Sequence, residues 1–129
     1  MGNSYKQVFS DAGMCLFGPT AGTRIPFIEF IRAFAGWDFS AAEAIETGKA
    51  ILTLRQAFNI RDGTKADDLV LPKRMAQPAA SGATAGKAFD FQKLWRHFFE
   101  EMGWYSETGH LSRRCLADHK LSQLVGELF

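Results

Sequence analysis

Cysteine is scarce in this chain: Cys15 and Cys115 are the only two in 129 residues. Two distant cysteines exclude a disulfide framework. The absence of any C-x-x-C, and of His and Cys at zinc spacing, excludes a self-contained zinc site. Both thiols are therefore expected to be free. Charge of one sign is also lacking, with 15 Lys and Arg against 14 Asp and Glu and a net charge of +1. The basic residues are scattered, so the footprint of a nucleic-acid or anionic-lipid binder is missing. No apolar run approaches the ~20 residues of a membrane span. The start, Met1-Gly2-Asn3-Ser4-Tyr5-Lys6, has no apolar signal-peptide core. The expectation is a cytoplasmic protein with neither membrane nor nucleic acid as partner. Sustained period-2 alternation is absent, and no serine stands in a G-x-S-x-G context.

What the chain has in excess is phenylalanine, 12 against 2 tyrosines. Its aromatic mass is mostly apolar and needs cover, from its own core or from a partner surface. The length suits one domain able to bury roughly two-thirds of its unfolded surface.

Apolar residues recur at helical spacing, which predicts an all-α domain of about six helices. A short helix over 5–12 ends at Gly13. Gly18-Pro19-Thr20-Ala21-Gly22 breaks the chain. Pro26 opens a helix over 26–36, because a first-turn proline gives up only an N–H that would be unpaired. In it Phe27, Phe30, Ile31 and Phe34 form one stripe. Ser40 and Glu43 have the spacing of a capping box. They begin a helix reaching residue 59, with Thr47, Ile51, Leu54 and Phe58 on one face, closed by Asp62-Gly63. A long Gly/Pro/Ala-rich loop follows over 72–87, of a length usually functional or mobile. The strongest helix spans 91–102, carrying Phe91, Leu94, Trp95, Phe98, Phe99 and Met102, with Asp90 as cap and Gly103 as stop. Helical stretches over 112–119 and 121–128 complete the chain.

Four segments stand out. They are Asp11-Ala12-Gly13-Met14-Cys15-Leu16-Phe17; Gly48-Lys49-Ala50-Ile51 running on to Phe58-Asn59-Ile60-Arg61-Asp62-Gly63; Asp67-Asp68-Leu69-Val70-Leu71-Pro72-Lys73-Arg74; and Gly103-Trp104-Tyr105-Ser106-Glu107-Thr108-Gly109. In this order the chain resembles the C-terminal end of the aldehyde ferredoxin oxidoreductases, tungsten-pterin and iron–sulfur enzymes, over nearly its whole length. The resemblance implies a single helical domain, 1–129, that is a fragment of a larger oxidoreductase and inactive alone. Such enzymes oxidise aldehydes to carboxylic acids and pass two electrons through a pterin and an iron–sulfur cluster to ferredoxin. By resemblance, Cys15 is one ligand of a 4Fe-4S cluster, whose other three thiolates come from elsewhere. Ser10, Asp11, Gly13 and Met14 lie in the segment that contacts the tungsten-bis-pterin. The family pattern there is Asp-x-x-Gly-Leu-Cys. Here Met14 replaces Leu, Ser10 holds the place of the acid, and Asp11 is one position nearer the cysteine. No catalytic residue falls within the chain, and the implied partners are the remainder of the oxidoreductase and ferredoxin.

The residues also admit plainer roles. Asp11 and Ser10 can simply finish a helix. Asn59 and Asp62 are turn formers, and Arg61 or Arg74 can pair with Asp67 or Asp68 to pin the loop. Trp104 between Gly103 and Gly109 reads as a packing corner, with Tyr105 where the family has an acid. His97, His110 and His119 read as solvated or core-edge residues. The alternative function is a non-catalytic helical docking module, as a split or degenerate subunit. DNA binding by a helix pair lacks the basic footprint.

Overall fold

Local signals at the helix ends set the order of elements. The computed structural model describes residues 2–15, 17–20, 25–65, 68 and 71–129. Helix α1 (Gly2–Asp11) stops where Gly13 takes φ 79°. Gly13 N–H donates to the Ser10 carbonyl at 3.0 Å and Met14 N–H to that of Phe9 at 3.2 Å, the paired bonds of a Schellman ending. One helical turn, α2 (Phe17–Thr20), occupies the first part of the expected break; residues 21–24 lie outside the described ones. Helix α3 (Phe27–Ala35) begins just after Pro26, whose carbonyl accepts from Phe30 N–H at 3.0 Å, and ends at left-handed Gly36.

Helix α4 (Ala41–Arg61) opens on the expected capping box. Glu43 N–H donates to Ser40 Oγ at 3.2 Å, and Ser40 N–H donates to Glu43 Oε2 at 2.8 Å. The Ser40 hydroxyl also donates to Glu43 Oε2 at 2.8 Å, and this bond first, with the Ser40 N–H second, holds the Glu43 carboxyl below its usual range. Asp90 caps α5 (Phe91–Glu101) by accepting from Lys93 N–H at 3.0 Å. Ser112 caps α6 (Arg113–Asp118) by accepting from Cys115 N–H at 3.0 Å. A 3-10 turn at Ser122–Leu124 then leads into α7 (Val125–Leu128). The architecture is all-α, and among the described residues the sole β feature is an isolated bridge between Ala79 and Ala85.

That bridge lies in the long loop, which carries its own hydrogen bonds. A 3-10 turn covers Lys73–Ala76. Gly86 N–H donates to the Ala79 carbonyl at 2.9 Å, closing a tight turn with Gly82 and Gly86 at positive φ.

Among the described residues, two apolar clusters form the interior. The larger gathers Phe99, Met102, Trp104, Leu111, Cys115 and Leu116 against Ala57 of α4. The smaller holds Val8, Phe9 and Phe27, with Met14, Ile25, Ile28, Ile31, Phe39 and Ile51 packed around them. Helix α4 serves both. Its contact with α1 depends on Gly48, because a Cβ there would collide with the Ser4 backbone. The expected α4 face of Thr47, Ile51, Leu54 and Phe58 is corrected accordingly. The buried positions are Ala44, Gly48, Thr53 and Ala57, while Leu54 and Phe58 are about half exposed. Among the described residues no helix is long and apolar enough to cross a membrane.

Candidate functional site

The end of α1 fixes the candidate site. The Schellman ending turns the chain sharply at Gly13, a conformation that strains any residue with a Cβ. Met14 then packs inward on the Val8–Phe9–Phe27 cluster, supplying the apolar contact usual for this ending. Cys15, next in sequence, is exposed. Its carbonyl accepts from Gly18 N–H at 3.1 Å, which ties it to the start of α2. Ser10 and Asp11 are exposed on the last turn of α1. The five expected residues thus share one turn and its exit: Ser10, Asp11 and Cys15 face solvent, Gly13 makes the turn, and Met14 anchors it.

Asp11 is held by side chains that the sequence reading did not single out. Gln7 Nε2 donates to Asp11 Oδ1 at 2.9 Å and to Oδ2 at 3.0 Å. Arg55 of α4 donates to Gln7 Oε1 at 2.9 Å. A guanidinium has donors only, so it fixes which end of the Gln7 amide meets the carboxylate. The Gln7–Asp11 pair was readable from its i, i+4 spacing. Arg55 was not, because only the crossing of α1 over α4 brings it there.

Cys115 has the opposite surroundings. It is buried in the larger cluster, with Sγ 3.6 Å from the Met102 carbonyl. Burial pushes its thiol pKa up, so it stays protonated and unsuited to bind a metal. Beside it, Trp104 Nε1–H donates to Thr53 Oγ1 at 3.3 Å. Trp104 is buried, and Gly103 and Gly109 turn the chain at positive φ, the packing corner the sequence suggested.

The remaining candidates are structural. Arg61 pairs with Glu127 of α7 at 3.1 Å. Asp68 Oδ2 accepts from Lys65 N–H at 2.7 Å, closing a local turn. Leu16, Asp67, Leu69 and Val70 lie outside the described residues. His97 and His110 are exposed, and partial burial lowers the pKa of His119.

Among the described residues no group of three His, Cys, Asp or Glu side chains could hold a metal ion. The donor set fits one ligand of an iron–sulfur cluster, the exposed sulfur of Cys15, and not a whole cluster.

Comparison with known proteins bears on the family of the chain. The family described as aldehyde ferredoxin oxidoreductase, domains 2 and 3, matches residues 2–121. The tungsten-containing aldehyde ferredoxin oxidoreductase of Thermococcus kodakarensis is 29% identical over 104 residues, covering 79% of this chain and 17% of that protein. The protein of the same description from Pyrococcus furiosus is 26% identical over 113 residues, 86% of this chain and 18% of its own length. That from Pyrococcus abyssi is 26% identical over 118 residues, 88% and 19%. The chain therefore spans under a fifth of these relatives. No solved structure matches it.

Proposed function

We propose a function from one premise: the chain belongs to the aldehyde ferredoxin oxidoreductase family, within its domains 2 and 3. It acts as the C-terminal helical domain of such an enzyme and is inactive without the rest. The overall reaction is oxidation of an aldehyde with water to a carboxylic acid, releasing two protons and two electrons to ferredoxin. When bound, the tungsten-pterin and the iron–sulfur cluster supply the redox chemistry.

The residues of this chain hold and shape. Cys15 gives one thiolate to a 4Fe-4S cluster whose other ligands lie outside this chain. Ser10, exposed on the last turn of α1, would offer its hydroxyl to the pterin. Asp11, fixed through Gln7 and Arg55, keeps a charged acceptor beside it. Gly13 lets the backbone turn with open space at its Cα, so a flat group can approach closely. Met14 locks the turn to the interior. The observation that carries this reading is the single exposed thiol directly after the anchored α1 ending.

The exposed apolar surface also suits the second reading, a non-catalytic docking module. Iron separates the two. We expect anaerobically purified protein to elute with a larger polypeptide in fractions containing iron and tungsten. Cys15→Ala should lose iron while Cys115→Ala retains it. A metal-free chain running alone would remove the enzyme reading.

A further inference from the structure

Among the described residues, Phe58, Phe89, Tyr105 and Phe129 are exposed singly at separate places, whereas Phe17, Phe30, Phe34 and Trp37 are exposed on the segments that carry the smaller cluster. Phe27 is 1% exposed and Ile31 half-buried, yet Phe34, seven residues on and on the same helical face, is 95% exposed. The N-terminal half of α3 lies on the Val8–Phe9 core, and its C-terminal half overhangs that core. Phe30 at 51% and Trp37 at 66% add to the overhang. Phe17, at 79%, leaves the same region from α2, whose Gly18 lies against Ile25 of this cluster.

Single exposed apolar residues are ordinary, but large aromatics clustered around a thin core mark an interface. We propose that the α3 overhang, centred on Phe34 and Trp37, is the docking surface for the polypeptide that carries the rest of the oxidoreductase. That polypeptide would complete the smaller cluster and bury the exit of Cys15 against itself. The inference rests on the function proposed above and names the surface through which it works.

Two observations select this occupant. The chain spans 17–19% of the matched relatives, so most of such an enzyme corresponds to residues other than these. The overhang is also continuous with the segment bearing Cys15: Met14 and Ile25 pack into the same cluster from which Cys15 and Phe17 project. A partner contributing the remaining thiolates has to approach on this side.

The test uses the chain assembled with the polypeptide corresponding to the missing part of the relatives, the partner identified by mass spectrometry. Hydroxyl-radical footprinting should show loss of labelling at Phe34 and Trp37 in the assembly. Phe34→Glu should weaken association about tenfold or more, as expected for a central aromatic anchor. Because Phe34 is almost fully exposed, the variant should keep the helical circular dichroism of the parent, which separates lost docking from lost folding. Full labelling of both residues in the assembly, or unchanged association of Phe34→Glu, overturns the proposal and leaves the enzyme reading standing. Assembly through Phe34 without iron or tungsten keeps the surface and removes the enzyme reading. A chain that stays alone, or pairs only with itself, overturns the proposal.

Discussion

Lys120 sits at φ 60°, the only described non-glycine residue at positive φ. It ends α6 as Gly13, Gly63 and Gly103 end α1, α4 and α5. Lys120 N–H donates to the Ala117 carbonyl at 3.0 Å, and Leu121 N–H to that of Leu116 at 2.7 Å. Glycine takes this conformation freely, whereas an L side chain there costs roughly 1–2 kcal/mol. Part of that cost is offset because glycine loses more freedom on folding. Lys120→Gly is therefore expected to stabilise the protein by about 0.5–1 kcal/mol. Thermal unfolding should register this as a rise of a few degrees; an unchanged or lower midpoint would show that the lysine side chain holds this ending in place.

At the scale of the element, the α4 capping box makes stability depend on pH. Ser40 lowers the folded-state pKa of Glu43 below its reference value of 4.5, first through its hydroxyl and then through its backbone N–H. A depressed carboxyl contributes stability above its unfolded pKa and loses it as pH falls through the folded pKa. Glu43→Gln should thus lower the unfolding midpoint at neutral pH. The gap to the parent should close on acidification below about pH 4.5. Parallel curves down to the acid limit would mean that Glu43 is not the titrating group. Helix ends of this kind were legible in the sequence because their signals are local: Ser40 with Glu43, Asp90 before Phe91, Gly103 after Met102. The inward face of α4 was not. Ala44 and Thr53 are nine residues apart, so they point about 180° apart on a helix of 3.6 residues per turn. Gly48 lies against Ser4 of α1 and Ile51 packs on the smaller cluster, whereas Thr53 and Ala57 face Trp104 and the larger one. A helix wedged between two cores shows no single apolar stripe, and the stripe of large residues that it does show is split: Ile51 packs on the smaller cluster, while Leu54 and Phe58 are about half exposed. The candidate site divides in the same way. Gly13 announces the turn that exposes Cys15, but the Arg55 contact that steadies Asp11 through Gln7 spans 48 positions and needs the fold.

Across the whole molecule, the two clusters differ in how well they are closed. Among the described residues, seven buried ones form the larger and three the smaller, so local opening of α1 and α3 exposes less apolar surface than opening of α5 and α6. Opening that exposes less apolar surface costs less free energy. In hydrogen exchange, α1 and α3 of the free chain should exchange well before α5 and α6. Helix α4 should divide: amides around Ala44 and Gly48 should follow α1, and those around Thr53 and Ala57 should follow α5. If all the helices exchanged together, the clusters would be one cooperative unit, with α4 transmitting the stability of the larger cluster to the smaller. Assembly with the rest of an enzyme should slow α1 and α3 far more than α5 and α6, because a partner on the α3 overhang adds apolar cover only to the smaller cluster. Equal slowing in both groups would place the partner across α4 and α7, where Leu54, Phe58 and Leu128 line an apolar groove of about 370 Å³.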